Sequence, residues 1–77
     1  MKVPRNISGR VLERALIKDG FRLRAQRGSH RTYVKGRHVV TLATHHPSDT
    51  FRPKTLRRIL EGTEWSVQDL KRLGLIK

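Results

Sequence analysis

Two glycine turns, Gly28-Ser29 and Gly36-Arg37, fix the middle of this chain. Glycine takes up the backbone conformations of tight turns without steric penalty, and a neighbouring serine adds a small hydroxyl. The segment between the turns, His30 to Lys35, holds one short strand. Before it, Phe21, Leu23 and Ala25 alternate with Arg22, Arg24 and Gln26, the period of a half-buried strand. After it, His38-Val39-Val40-Thr41-Leu42 is β-branched and apolar. Three short strands joined by two tight turns form an antiparallel meander. The register of the middle strand is open. His30, Thr32 and Val34 share one face, and Arg31, Tyr33 and Lys35 share the other. With Val34 inward, Tyr33 lies on the open face between two cations and offers a stacking platform for a base. With Tyr33 inward, that platform is lost.

Helices flank the meander. Residues 1–7 read as an extended lead-in, with Pro4 biasing Val3 away from helix. The lead-in carries charge but no apolar segment follows it, unlike a signal peptide. Ser8 reads as the N-cap of a helix running to about Lys18. Val11, Leu12, Ala15 and Leu16 form its apolar stripe, with Arg10, Glu13, Arg14 and Lys18 on the other side. Asp19-Gly20 stops it. Residues 43–52 form a loop anchored by Phe51. Pro53 suits the first turn of a second helix, whose stripe is Leu56, Ile59 and Leu60 and which Gly62 ends. Trp65 packs at the joint. Ser66 caps a short last helix, with Asp69 three residues on as a variant capping box and Val67, Leu70 and Leu73 buried. The sum is one α+β domain over residues 1–77. Its helices cover one sheet face and leave the other open and basic.

Charge narrows the partners. Eighteen Lys and Arg face six Asp and Glu, a net charge of +12. Nucleic acid is the leading partner for such a chain, and an acidic protein the second. An anionic membrane comes third, because no stretch pairs a wide apolar face with a basic one. No apolar run approaches the roughly 20 residues of a membrane span. Arginine outnumbers lysine 12 to 6, which favours bidentate phosphate contacts and base stacking. The chain has no cysteine, which excludes disulfides, thiolate zinc sites and a cysteine nucleophile. A reducing, cytoplasmic setting fits. A domain of this size buries only roughly 60–65% of the surface its unfolded chain exposes, so a shallow surface site is expected rather than a deep cavity.

The chemistry concentrates in Arg27-Gly28-Ser29-His30-Arg31. Histidine accepts or donates a proton near neutral pH. The flanking cations suit a polyanion, and cleavage of a phosphodiester needs this combination if the polyanion is RNA. The plainer reading is a surface or strand-capping histidine. Arg22 and Arg24 on the first strand either meet phosphate or form an ordinary solvated face. The loop run Thr44-His45-His46-Pro47-Ser48-Asp49 raises a metal site. Adjacent loop side chains rarely converge on one ion, however, and no third ligand of suitable spacing stands out, so no metal is expected. The acids Glu13, Asp19, Asp49, Glu61, Glu64 and Asp69 are scattered, which argues against a two-metal nuclease.

From Pro4 onward the chain resembles the HicA family of bacterial and archaeal toxins. Ser8-Gly9-Arg10, Gly20-Phe21, Arg27-Gly28-Ser29-His30 and Thr55-Leu56-Arg57-Arg58-Ile59-Leu60 carry the resemblance. It implies a double-stranded-RNA-binding-like α-β-β-β-α fold, ribosome-independent cleavage of mRNA, a catalytic role for His30 and neutralisation by a HicB antitoxin. Three departures stand out. Ala43-Thr44-His45 replaces the family's frequent Pro-x-His, Lys54 replaces a common glycine, and the Pro47–Arg52 loop differs from the usual short linker.

A metal-free ribonuclease can use the substrate's own 2′-hydroxyl as nucleophile. It needs a base for that proton, an acid for the leaving 5′-oxygen and positive charge near the phosphate. His30 fits the base or the acid. Arg27, Arg31 or Lys35 supply charge, and the Gly28 and Ser29 amides help to hold the phosphate. With Arg22 and Arg24 these form the expected RNA-binding set. No cofactor is required. The second proton-transfer residue is open, with His38 and His45 candidates by type alone. Two other functions remain: a non-catalytic RNA-binding module of the same fold, and a helix-turn-helix built from residues 54–61 and 66–73. The latter has Lys71 and Arg72 only near the C-terminus of its second helix, where a recognition helix seldom reads bases. Under the toxin reading, an acidic HicB-type antitoxin covers the basic sheet face and His30.

Overall fold

The computed structural model describes Pro4 and residues 6–76. Residues 1–3, Arg5 and Lys77, and with them the expected bias of Val3, lie outside the described residues. The order is α1 (Gly9–Lys18), β1 (Arg22–Arg27), β2 (His30–Lys35), β3 (His38–Ala43), α2 (Pro53–Thr63) and α3 (Val67–Arg72). This is the expected α-β-β-β-α arrangement with a short C-terminal helix. The sheet is antiparallel in the order β1-β2-β3.

Local chemistry sets the ends of α1. The Ser8 side chain accepts from the Val11 amide at 3.2 Å. The Gly9 and Arg10 amides donate to the Asp49 and Pro47 carbonyls at 2.9 and 2.8 Å, so the loop after β3 caps the first turn. At the other end Gly20, with φ of +102°, turns the chain into β1, and the Phe21 amide returns to the Leu16 carbonyl. Leu12, Ala15 and Leu16 are buried as expected. Val11 is 40% exposed, so the stripe is one residue narrower than its spacing suggests.

Both hairpins have two-residue turns with a positive-φ glycine first, at Gly28 and Gly36. That is the demand of the mirror-image turns whose twist matches paired strands. Opposed residues of an antiparallel pair share a face. Tyr33 is fully buried opposite Val40, and Arg31 stands opposite Leu42, so these residues face the helices. His30, Thr32 and Val34 face outward with Ala43, Thr41 and Val39. The inward alternative for Tyr33 therefore holds, and the stacking platform is absent. β1 departs from simple alternation. A bulge between Leu23 and Ala25 makes Arg24 an extra residue. Ala25 consequently lies outward, opposite Thr32, rather than in the core, and Gln26 turns to the helix side opposite Arg31.

Leu56, Ile59 and Leu60 of α2 complete the core with Leu42, Phe21 and Trp65, and Phe51 packs against it. Gly62 does not end α2. The helix runs on to Thr63, and Glu64 takes the left-handed conformation at φ of 58°. At α3 the capping box of Ser66 and Asp69 forms as expected. Leu70 and Leu73 are buried, whereas Val67 is 48% exposed.

Candidate functional site

His30 opens β2 immediately after the first turn and is exposed. Arg27 stands directly opposite it on β1, and Ala43 directly opposite on β3. All three share the open face. Around them the floor is made of small side chains: Ala25, Thr32, and Thr41 with its hydroxyl 3.3 Å from that of Thr32. Arg22, opposite Val34, adds a cation to the same face, and Arg24 is exposed on the bulge. The result is a shallow, basic surface that a long polyanion can cross.

The acids lie elsewhere. The Glu13 carboxylate accepts a hydrogen bond from the buried Tyr33 hydroxyl and pairs with Arg31 at 3.5 Å. Burial, reinforced by that carboxylate, pushes the Tyr33 phenol well above its ordinary range. Asp19, only 10% exposed at its side chain, gathers the Trp65 indole at 2.8 Å, Lys35 at 3.1 Å and Arg72 at 2.6 Å. Burial raises the Asp19 carboxyl, but the three hydrogen bonds outweigh it and hold the group below its ordinary value. Glu64 pairs with His38 and Arg37 at the second hairpin. Asp49 accepts from the His46 amide at 3.1 Å. No acidic residue occupies a paired outward position of the sheet. Arg22 and Arg27 are therefore the charged residues at these paired outward positions.

Of the expected RNA-binding residues, the sheet brings Arg22, Arg27 and His30 to one face, with the Gly28-Ser29 turn at its edge and Arg24 beside it. Arg31 and Lys35 lie on the helix side, tied to Glu13 and Asp19. Arg31 also donates to the Thr44 hydroxyl at 3.1 Å, while its buried Nε finds no acceptor. It helps to line an open cleft of about 330 Å³ behind the turn, together with Gln26, Ser29, Thr44 and His45. His38 sits at the opposite end of the meander, its ring nitrogens near the Lys35 carbonyl and the Glu64 carboxylate. No three His, Cys, Asp or Glu side chains gather around a possible ion among the described residues. No helix among them is long and apolar enough to cross a membrane.

The family model described as HicA toxin of bacterial toxin–antitoxin matches residues 9–75, nearly the whole fold and all of the hairpin that bears His30. The chain belongs to the HicA toxin family. Among curated proteins none matches it. As a HicA-family chain it is a toxin of a toxin–antitoxin system, and its α+β fold with one open sheet face agrees with the resemblance that the Gly-Ser-His motif suggested. Sequence reasoning missed two features of this HicA surface. One is the bulge that turns Arg27 toward His30, and the other is the proximity of His45 to the Gly28-Ser29 turn. The two-residue turn was the available signal for the first, because such a turn makes Arg27 and His30 an opposed pair.

Proposed function

We propose that this toxin is a metal-independent endoribonuclease that cleaves mRNA, with His30 as a general acid–base residue, in a single HicA-like domain over residues 1–77. The observation that carries the reading is the position of His30: exposed on a sheet face without acids, directly opposite Arg27. A basic face concentrates the polyanion, and arginine holds phosphate oxygens in a fixed geometry. Arg22, Arg24 and Arg27 follow the RNA backbone, and the Gly28-Ser29 turn seats the reacting phosphate. Arg31 approaches that phosphate from the cleft side of the turn. Lys35, held beside Asp19 on the helix side, adds to the positive field that draws the RNA in. The nucleophile is the substrate's own 2′-hydroxyl, so no cofactor is needed. In the cytoplasm the toxin is held inactive by an acidic HicB-type antitoxin that covers this face.

The test is incubation of wild type and His30→Ala with a long mRNA in excess EDTA. Loss of full-length RNA with wild type, reduced about 10²–10⁴-fold in the variant, is the expected result. Retardation of RNA by both proteins without cleavage by either would reduce the chain to a binding module. Cutting of DNA, which lacks the 2′-hydroxyl, would also count against the mechanism.

A further inference from the structure

We propose that His45 is the second proton-transfer residue of this site, the acid that protonates the departing 5′-oxygen. The proposal rests on the ribonuclease reading of His30 and adds the missing half of its chemistry. In-line transfer to a 2′-oxygen requires two proton movements at well-separated oxygens. The 2′-hydroxyl proton passes to His30 as the 2′-oxygen bonds to phosphorus. The bond from phosphorus to the 5′-oxygen breaks, and that oxygen takes its proton from His45. One product ends in a 2′,3′-cyclic phosphate and the other begins with a 5′-hydroxyl. His30 is left protonated and His45 neutral, and exchange with water restores both.

Geometry selects His45 among the other histidines. Ala43 is the direct partner of His30 across β2 and β3. Opposed Cα atoms lie about 4.5–5.5 Å apart, and two further residues span at most about 7 Å. The His45 backbone is thus within about 12 Å of that of His30, a gap that two imidazoles on either side of one phosphate can close. His45 lines the cleft behind the turn with Gln26, Gly28, Ser29, Arg31 and Thr44, so it meets the Gly28-Ser29 turn from the cleft side, while His30 leaves that turn on the open face. Arg31 is the charged group facing it there, and arginine does not release its proton in proteins. His38 is excluded by position. It pairs with Lys35 at the far end of β2, roughly 17 Å along the strand from His30, and faces the helices. His46 follows in the loop, but its backbone is drawn back to the Asp49 carboxylate and it does not line the cleft.

The α1 N-terminus does not compete for the phosphate, since its first amides are already taken by the Asp49 and Pro47 carbonyls. Those same bonds hold the loop that carries His45. Thr44 is fixed from two sides, by Arg31 and by close contact with Gly9. His45 therefore extends from an anchored point, as proton transfer to a defined oxygen requires.

A substrate that needs no acid separates this role from all others. The probe is an RNA oligonucleotide carrying a single bridging 5′-sulfur at a position cleaved by the wild type, because a thiolate departs without a proton. His45→Ala and His45→Gln are each expected to lose at least 100-fold on ordinary RNA but to come within tenfold of wild type on the sulfur substrate. His30→Ala should stay slow on both. A His45 variant within threefold of wild type on ordinary RNA overturns the proposal and leaves the ribonuclease reading intact. Equal loss on both substrates, with RNA binding and melting temperature unchanged, likewise overturns the acid role. If wild type cleaves neither, the ribonuclease reading itself fails and the proposal falls with it.

Discussion

Arg27 and His30 face each other across the first hairpin on the open side of the sheet, and the bulge at Arg24 makes this compatible with a buried Phe21. Strict alternation from Phe21 would turn Arg27 toward the helices. The extra residue reverses the parity of β1 past Leu23, so both the core contact and the basic face are kept. If RNA crosses this face, Arg27→Ala removes one phosphate contact. The slope of log affinity against log salt should fall by about 0.7, the increment for one contact on a single strand. Binding of a 2′-deoxy-substituted, uncleavable oligonucleotide at several salt concentrations measures it. Arg72→Ala serves as the control, since Arg72 is bound to Asp19 and Asp69 on the helix side and should leave the slope unchanged.

Tyr33 is buried, and its hydroxyl is joined to Glu13. Tyr33→Phe keeps the ring and deletes the donor, while Glu13, 40% exposed at its side chain, retains water and Arg31. A loss of about 1 kcal/mol is expected in chemical denaturation, with RNA affinity unchanged within twofold. Tyr33→Ala should cost about 3–5 kcal/mol by opening a core cavity. Selective loss of RNA binding in the folded Phe variant would return Tyr33 to the interface.

Much of this fold was legible because the local signals agree. Ser8, Gly20, Pro53 and the Ser66–Asp69 box each mark a helix boundary by a mechanism that acts within a few residues. The two glycine turns do the same for the strands. The parts that escaped depend on contacts distant in sequence. The inward Tyr33 donates its hydroxyl to the Glu13 carboxylate twenty residues earlier, a partner that no signal local to the strand reveals. α2 runs past Gly62 to Thr63, with Glu64 left-handed after it, and the Glu64 carboxylate meets His38 on the helix side of the sheet. Val11 and Val67 fit helical stripes by spacing but remain substantially exposed in this small domain. At the site, His30 was legible from its motif. The position of His45 was not, because it depends on the end of β3 returning to the first turn.

Gly9 admits Thr44. A β-carbon at Gly9 would lie 2.7 Å from the Thr44 hydroxyl oxygen and 3.2 Å from its methyl group. Alanine normally favours a helix over glycine by about 1 kcal/mol, but here Thr44 must rotate and surrender its bond to Arg31. Gly9→Ala is therefore expected to destabilise by about 1–3 kcal/mol, the usual range for overpacking. Adding Thr44→Ala should restore most of the loss, because it removes the clashing atoms. Thermal melts of the single and double variants decide this. A stabilised Gly9→Ala would mean that the loop gives way freely.

Asp19 should make the fold sensitive to acid. Its carboxyl is held below the ordinary value because the bonds from Trp65, Arg72 and Lys35 outweigh the opposing effect of burial. A depressed folded pKa adds stability that is fully present above the unfolded pKa, about 3.9, and is lost as pH falls through the folded value. Glu64, lowered chiefly by its bond to His38 and also by Arg37, acts in the same direction. So does Asp69, lowered chiefly by the Ser66 amide. Asp19→Asn should cost about 1–2 kcal/mol at neutral pH, since one neutral oxygen replaces a carboxylate serving three donors while Lys35 and Arg72 return to water. As pH drops below about 4, wild type should lose this advantage and the two curves should converge. Glu64 and Asp69 leave a residual acid slope in the variant. Urea midpoints from pH 2 to 7 test the sign as well as the size: parallel curves would show that Asp19 keeps the same affinity for its proton in the folded and unfolded chain, and that its three contacts contribute packing alone.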